Sequence, residues 1–343
     1  MTAAMVAYAL VAVVWTYPLV LDPTATVPIP SRFGPATTLA DRGLADHGDS
    51  ISVPARNDQL LTIWGAARNA GSILGGRPGR LIDHGLCFPM PNAAVLGEHM
   101  MELGLLAVPG FALSADPVAA YNLACLLLLV IAGASMFALI RHWTGSTAAA
   151  FSAGLLFAFH PARSANLTHP AVMGLHWAPL VVLAFERLVA WGRWRDLAAL
   201  TLAACLQVTV GAYPMLTLTC FAFPYGLVRL LQNRRTLQQK QLWKLGFAFA
   251  ATAAAAFFIL APYLESAETW RLFKPRTLTI VAYRDLYPGA KFSVGAACLL
   301  MAAGLCLGGR RRYPVLGAVV AATLVCTAVS AQGALWTGGP ALP

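Results

Sequence analysis

The sequence predicts an all-α, polytopic integral membrane protein with about nine transmembrane helices in a single membrane domain, residues 1–343. The first observation is composition: of the 343 residues, 58% are hydrophobic and only 11% are charged, whereas a soluble domain carries about 25% charged residues. The second is the recurrence of apolar runs of roughly 20 residues, which are long enough to cross a bilayer as helices. The third is the position of the basic residues relative to those runs.

The apolar runs define the candidate spans and the loops between them. The 147–160 run is short for a complete crossing, so we expect the bilayer to thin around it or the crossing to be partial. A run over 103–114 is shorter still and is predicted to lie at the membrane interface. The nine candidate spans are 3–21, 117–140, 147–160, 171–190, 196–212, 214–231, 244–263, 288–308 and 314–330.

The net charge of +10 follows this topology. If the spans alternate from a cytoplasmic N-terminus, the cytoplasmic connections hold half of the 24 lysines and arginines but only Glu186 and Asp196 of the 14 acidic residues. This positive-inside pattern predicts a multi-pass protein of the bacterial cell (inner) membrane, with loops 22–116 and 264–287 outside the cytoplasm. It explains the basic charge without a nucleic-acid partner.

The first candidate site lies in the 22–116 loop. Apolar residues from Leu60 to Leu74 follow Asp58 at helical spacing and lie mostly on one face of a predicted helix. An acid at the start of a helix on the outer membrane surface can act as a general base on an acceptor hydroxyl. The alternative is structural, with Asn57 as the N-cap and Asp58 as a favourable charge in the first turn. The polar exceptions on the apolar face include Asp58, Gln59, Arg68 and Asn69.

A second predicted helix, over 95–114, carries Glu98, His99 and Glu102. Their spacing gathers them along one side of a helix. Carboxylate and imidazole together could hold a divalent cation that bridges phosphate oxygens. A solvated helix face is the interpretation that the pattern favours, because only a local cluster is visible. The sequence therefore identifies no metal site, and it leaves a divalent cation open as a cofactor.

Basic and histidine side chains mark two further outer regions. His160, Arg163 and His169 flank the 147–160 run, where an arginine can grip a phosphate through paired hydrogen bonds or anchor the span at the headgroups. The 264–287 loop adds basic residues against the positive-inside trend, which indicates either a phosphate-binding surface or a solvated loop balanced by nearby acids. These basic residues are Arg271, Lys274, Arg276 and Arg284.

Short motifs along the chain resemble those of the bacterial GT-C type integral membrane glycosyltransferases, particularly their uncharacterised polytopic members. The resemblance covers most of the chain. The motifs are Trp15-Thr16-Tyr17-Pro18-Leu19-Val20, Asn57-Asp58 with Trp64, Phe88-Pro89-Met90-Pro91-Asn92, Glu98-His99, Tyr121-Asn122, Phe157-Ala158-Phe159-His160-Pro161-Ala162-Arg163, and His169 with Trp177-Ala178-Pro179-Leu180.

The resemblance implies a GT-C-like fold whose long first extracytoplasmic loop bears two surface helices. It implies a polyprenyl-phosphate sugar donor, inversion at the sugar, and Asp58 as the base. The donor phosphate would be held by Arg163 and the basic residues of the 264–287 loop. Similar proteins continue with more helices beyond Pro343, so the resemblance also implies a C-terminally truncated chain. Positioning roles fall to Glu98, His99, His160 and His169.

Two alternatives stay open at this point. One is a non-catalytic membrane protein, a lipid-binding or assembly component, or an inactive fragment of a GT-C enzyme. The other is a transporter, which is disfavoured because few ionisable residues lie deep within the spans, where transport sites usually lie. In every case membrane lipids are the expected surroundings. If the chain is a glycosyltransferase, a lipid-linked sugar donor is the expected partner.

Overall fold

The computed structural model describes residues 1–28, 37–38, 53–83, 92, 94, 98–160, 163, 167–170 and 174–265, with the backbone alone at 37–38 and 53–58. These residues are mostly helical, as predicted. A 3-10 turn covers Pro78–Arg80, and the antiparallel strands β1 (Thr26–Val27) and β2 (Thr37–Thr38) pair with Thr26 opposite Thr38. The helices in these ranges are α1 (Thr2–Trp15), α2 (Val53–Leu74), α3 (Met101–Ser114), α4 (Pro117–Thr144), α5 (Thr147–Ala158), α6 (Ala178–Trp191), α7 (Trp194–Val210), α8 (Ala212–Asn233) and α9 (Gln239–Glu265).

Three of the described helices, α4, α8 and α9, are long and apolar enough to cross a membrane. Helices α1, α3 and α5 are apolar but shorter, with 10–17 residues each. The prediction of a helical, membrane-associated chain is thus confirmed at this coarser level. The nine spans stay a prediction, and two of them, 288–308 and 314–330, lie outside the described residues.

Helix ends differ from the predicted ends where proline or a tight turn intervenes. Helix α1 ends at Trp15 rather than at residue 21 and is followed by turns. Helix α2 begins at Val53, so Asn57 lies inside the helix and its predicted N-cap role is wrong. Pro54 explains the earlier start, since proline is tolerated in the first turn, where its missing N–H has no partner to lose. Likewise Pro179 lies in the first turn of α6.

The chain divides into two compact units, 1–215 with 244–266 and 216–243 with 267–343. In the described part of the second unit, Phe221 and Tyr225 stack with ring centroids 5.7 Å apart. Arg229 Nη1 donates to Gln232 Oε1 at 2.8 Å. Glu98, Glu102, Arg163 and His176 belong to the first unit.

Close helix packing in the first unit depends on small residues. Helices α2, α3 and the first part of α4 share one buried apolar cluster, and α1, α4 and α5 share another. A Cβ at Gly104 would overlap the Cβ of Asn69, and a Cβ at Gly110 would lie 2.8 Å from the Cα of Ala120. Helices α1 and α5 meet at Tyr8, whose hydroxyl donates to Phe151 O at 3.1 Å. Small residues at such contacts are typical of membrane helices. In lipid the hydrophobic effect does not drive helices together, so their association depends on close packing.

The motif Tyr121-Asn122 ties the start of α4 to two connecting segments. Tyr121 Oη donates to Leu167 O at 2.7 Å. Asn122 Nδ2 donates to Pro23 O at 2.8 Å and to Thr26 O at 2.7 Å. All three acceptors are backbone carbonyls outside helices, which need partners when they are buried. These two residues therefore fix the segments that flank the site relative to α4.

Candidate functional site

Helix α2 buries small and polar side chains and exposes large apolar ones. Leu60, Leu61 and Trp64 are exposed, whereas Gln59 and Asn69 are buried. The predicted single apolar face is therefore wrong, although Ile63 and Ala67 are buried as the pattern indicates. The pattern assumed water outside and an apolar interior, whereas a helix at a membrane surface gains by exposing leucine and tryptophan. The polar residues on its buried face are then available to build a site.

Asn69 holds the turn that leads into α3. Its Nδ2 donates to His99 O at 3.0 Å and to Met100 O at 3.1 Å. Met100 adopts a left-handed conformation with φ of +50°, which costs roughly 1 kcal/mol or more for a residue with a side chain. The two bonds from Asn69 offset that cost. As a result His99 and Glu102 are both buried, and Glu98 is half-buried.

This geometry overturns the solvated-face interpretation of Glu98, His99 and Glu102. Helix α3 begins at Met101, so Glu98 and His99 precede it rather than lie along it. A turn in the left-handed region cannot be read from helical spacing, which is why the sequence predicted a helix over 95–114. Among the described residues, no group of three or more His, Cys, Asp or Glu side chains is placed to hold a metal ion.

Glu102 and His176 form a buried polar pair. Oε1 of Glu102 lies 2.8 Å from Nε2 of His176, with the side chains 2% and 0% exposed. Trp177 Nε1 donates to the same oxygen at 3.4 Å. Nδ1 of His176 is buried without a hydrogen-bond partner in the part of the chain that the structure describes. We call Glu102, His176 and Trp177 the Glu102 group.

The sequence analysis did not identify His176. It stands directly before an apolar helix, beside the motif Trp177-Ala178-Pro179-Leu180. A histidine at the end of a membrane helix is a candidate functional residue, and this was the sequence signal that could have identified it. Its distance from Glu102 along the chain, 74 residues, hides the pairing from any local pattern. Gln207 of α7 donates from Nε2 to Gly174 O and so fixes the segment before His176.

Glu98 lies against the junction of α7 and α8. Burial raises the pKa of its carboxyl, and a hydrogen bond from the backbone N–H of Ala212 opposes that rise. A Cβ at Gly211 would lie 2.5 Å from Oε2 of Glu98, so glycine is what permits this approach. The contact places a carboxylate at the first residue of a helix, where the backbone dipole favours negative charge. The ring of His99 meets that of Tyr263 edge-on, with centroids 6.2 Å apart.

Arg163 is buried, with 5% of its surface exposed. Its Nε donates to Phe157 O at 3.2 Å, and its guanidinium lies 4.9 Å from the centroid of the Phe157 ring. Burial lowers its pKa to about 10. Within the described ranges Nη1 has no hydrogen-bond partner. A buried cation without a counter-ion is destabilising, so an anion bound there would relieve the cost.

The other predicted site residues are not brought to the Glu102 group by any described contact. His160 is exposed. His169 is half-buried, with Nδ1 3.2 Å from Thr168 Oγ1. Asp58 lies within α2, and its side chain is outside the described residues. Outside them as well are Arg271, Lys274, Arg276 and Arg284.

A cavity of about 770 Å³ lies between α4, α6 and α7. Trp177 stands at one end of its α6 wall, followed by Leu180, Ala184 and Arg187. Ten residues of helix correspond to about 15 Å. At the far end Arg187 Nε pairs with Asp196 Oδ1 at 3.0 Å. The cavity is therefore mostly apolar, with Trp177 of the Glu102 group in one part of its wall and the ion pair of Arg187 and Asp196 in another.

Comparisons with protein-family models, with curated proteins and with solved structures find no match. The resemblance to GT-C enzymes therefore depends on the motifs quoted above.

Proposed function

We propose that this chain is a membrane glycosyltransferase of the GT-C type, which transfers a sugar from a polyprenyl-phosphate donor to an acceptor hydroxyl at the extracytoplasmic face of a bacterial cell membrane. The observation that supports this most is the 770 Å³ cavity, whose wall includes Trp177, the tryptophan that donates to the buried Glu102. A lipid-linked sugar has an apolar tail and a polar head. A mostly apolar cavity that borders a buried polar group through Trp177 matches both parts.

The donor's prenyl chain would occupy the cavity along α6, beside Leu180 and Ala184. Its phosphate and sugar would then lie beyond Trp177, near the Glu102 group. Nδ1 of His176 is buried and has no hydrogen-bond partner within the described residues, and it is proposed to bond to the donor head. The hydrogen bond to Glu102 fixes the orientation of that imidazole, much as a carboxylate orients a catalytic histidine.

The transfer itself is a displacement at the anomeric carbon. The acceptor oxygen forms a bond to that carbon while the bond from the carbon to the phosphate oxygen breaks. The bonding electrons leave with the polyprenyl phosphate, and the hydroxyl proton passes to the Asp58 carboxylate. Attack opposite the leaving phosphate inverts the sugar. The role of Asp58 follows from the resemblance and from its place on α2, the helix that exposes Leu60, Leu61 and Trp64 as a membrane-surface helix would.

The leaving phosphate gains negative charge as the bond breaks, so a fixed cation accelerates the reaction. Arg163 suits this role because its buried guanidinium has no carboxylate partner among the described residues. Arg271, Lys274, Arg276 and Arg284 are proposed to share it. Glu98, His99, His160 and His169 are proposed to position the substrates.

The test is transfer of radiolabelled sugar from a polyprenyl-phosphate donor by the purified chain in lipid nanodiscs. Asp58→Asn should abolish transfer, whereas Asp83→Asn, the same change at an exposed aspartate, should not. Arg163→Gln should raise the donor KM or lower kcat by about tenfold to a hundredfold, which is the effect expected from the loss of one charge-assisted hydrogen bond. Arg195→Gln, at a mostly exposed arginine, is its control. The proposal is overturned if the wild-type chain transfers no sugar with any donor tested, or if Asp58→Asn keeps full activity.

A further inference from the structure

A second cavity, of about 340 Å³, lies beside the first residue of α4 and carries three arginines. Arg68 comes from α2, Arg80 comes from the 3-10 turn, and Arg77 is the residue before that turn. Two aromatic side chains complete the wall, one from α2 and one from α3. The residues that line the cavity include Trp64, Arg68, Arg77, Arg80, Phe111 and Pro117.

The positive charge in this cavity has no counter-ion in the described part of the chain. None of the described carboxylates forms an ion pair with Arg68, Arg77 or Arg80. Nε of Arg68 is buried without a hydrogen-bond partner there. The neighbouring Asp116 caps α4 instead, since its Oδ1 accepts from Ala119 N at 2.8 Å. Like charges held together repel each other, so a bound anion would stabilise the cluster.

The position of the cavity relative to the membrane is inferred from the helix that begins beside it. Pro117 is the first residue of α4, a helix of 28 residues that is long enough to cross a membrane, and the start of such a helix marks the edge of the hydrocarbon. Trp64 lines the cavity and is 38% exposed, as tryptophans at headgroup depth are. Leu60 and Leu61 of the same helix are exposed as well. If α4 crosses the membrane, the arginines beside its first residue lie near the depth of the lipid phosphates.

We propose that this cavity binds the phosphate of an anionic membrane phospholipid. The guanidinium groups of Arg68, Arg77 and Arg80 donate hydrogen bonds to the phosphate oxygens. Trp64 and Phe111 contact the glycerol and the first methylenes of the acyl chains. This site is separate from sugar transfer and does not depend on it. Its effect is to hold α2, and with it the turn that Asn69 fixes, at the membrane surface.

The experiment measures phospholipid binding to the purified full chain in mild detergent by native mass spectrometry. Phosphatidylglycerol is the probe, and phosphatidylcholine with the same acyl chains is the zwitterionic comparison. Each cation next to the bound phosphate contributes roughly fivefold to binding of an anionic lipid, so Arg77→Gln with Arg80→Gln should weaken phosphatidylglycerol binding about 25-fold. Arg234→Gln with Arg235→Gln, which removes two exposed arginines that do not line the cavity, should leave binding at this site within about twofold of the wild type.

A charge-preserving variant keeps the test independent of folding. Arg77→Lys with Arg80→Lys should retain most of the binding, since lysine still binds phosphate as a point charge. The proposal is overturned if the double glutamine variant binds phosphatidylglycerol as tightly as the wild type does, or if phosphatidylcholine binds equally well. If millimolar inorganic phosphate displaces the lipid, the proposal of a phospholipid ligand is overturned, because free phosphate alone would then occupy the site.

Discussion

Replacing Gly104 by alanine tests the packing that places the Glu102 group. The added Cβ would overlap the Cβ of Asn69 and lie 3.3 Å from its Cα, inside the ~3.5 Å at which carbon atoms begin to attract. Neither atom is the end of a flexible side chain, so α2 and α3 must separate. Overpacking costs about 1–3 kcal/mol. The hydrogen bonds of Asn69 to His99 O and Met100 O, at 3.0 and 3.1 Å, would lengthen, at about 1 kcal/mol each.

The expected destabilisation is therefore about 3–5 kcal/mol. Unfolding in mild detergent, followed by tryptophan fluorescence as denaturant is added, measures it. Gly246→Ala is the matched control, because nothing lies within 4 Å of its added Cβ, and it should stabilise α9 by up to about 1 kcal/mol. Asn69→Ala, which keeps the Cβ and loses only the hydrogen bonds, should cost about 2 kcal/mol. An unfolding midpoint for Gly104→Ala equal to that of the wild type would refute the close approach of α2 and α3.

Three further predictions concern the site and its supports. Gly211→Ala should cost roughly 1 kcal/mol or less, because its Cβ would press on the end of the Glu98 side chain and not on backbone. It should nevertheless lower sugar transfer about tenfold by moving that carboxylate, and an unchanged initial rate would contradict the positioning role. Because burial raises the pKa of Glu98, the folded state binds this proton more tightly than the unfolded state, so wild-type stability should fall as pH rises from the ordinary carboxyl range through the raised pKa. Unfolding midpoints measured across that range should show this fall, Glu98→Gln should lessen it, and identical profiles would count against the burial. Tyr121→Phe removes the 2.7 Å bond to Leu167 O and should lower the free energy of unfolding by about 1 kcal/mol; thermal melting that matches the wild type would show that the bond contributes nothing.

The helices were largely predictable from the sequence because apolar runs and prolines are local features. The short 147–160 run ends at Ala158 in α5. The predicted helix after Asp58 corresponds to α2, which ends at Leu74. Its orientation was not predictable from spacing, because helical spacing alone does not tell whether apolar residues such as Leu60 and Trp64 are buried in the protein or exposed, as they are here. Burial of Asn69 in α2 depends on partners in the turn before α3, which lies some 30 residues further along the chain.

The candidate site was predictable only in part. Glu98, His99 and Arg163 were identified from residue type and position, and all three are wholly or largely buried in the structure. The pairing of Glu102 with His176 joins residues 74 positions apart, and no periodicity encodes such a contact. The left-handed Met100, which separates Glu98 and His99 from α3, is set by hydrogen bonds from Asn69 rather than by its own preference.

The most direct test of the proposed function is the anomeric configuration of the product. The purified chain would be given a polyprenyl-phosphate sugar of one defined anomer and an acceptor alcohol, and the first-formed product would be examined by NMR. We expect the sugar on the acceptor oxygen with inverted configuration and an equal amount of polyprenyl phosphate released, neither of them with Asp58→Asn. A product of retained configuration, or a donor left unconsumed by the wild-type chain, would contradict single displacement with Asp58 as the base.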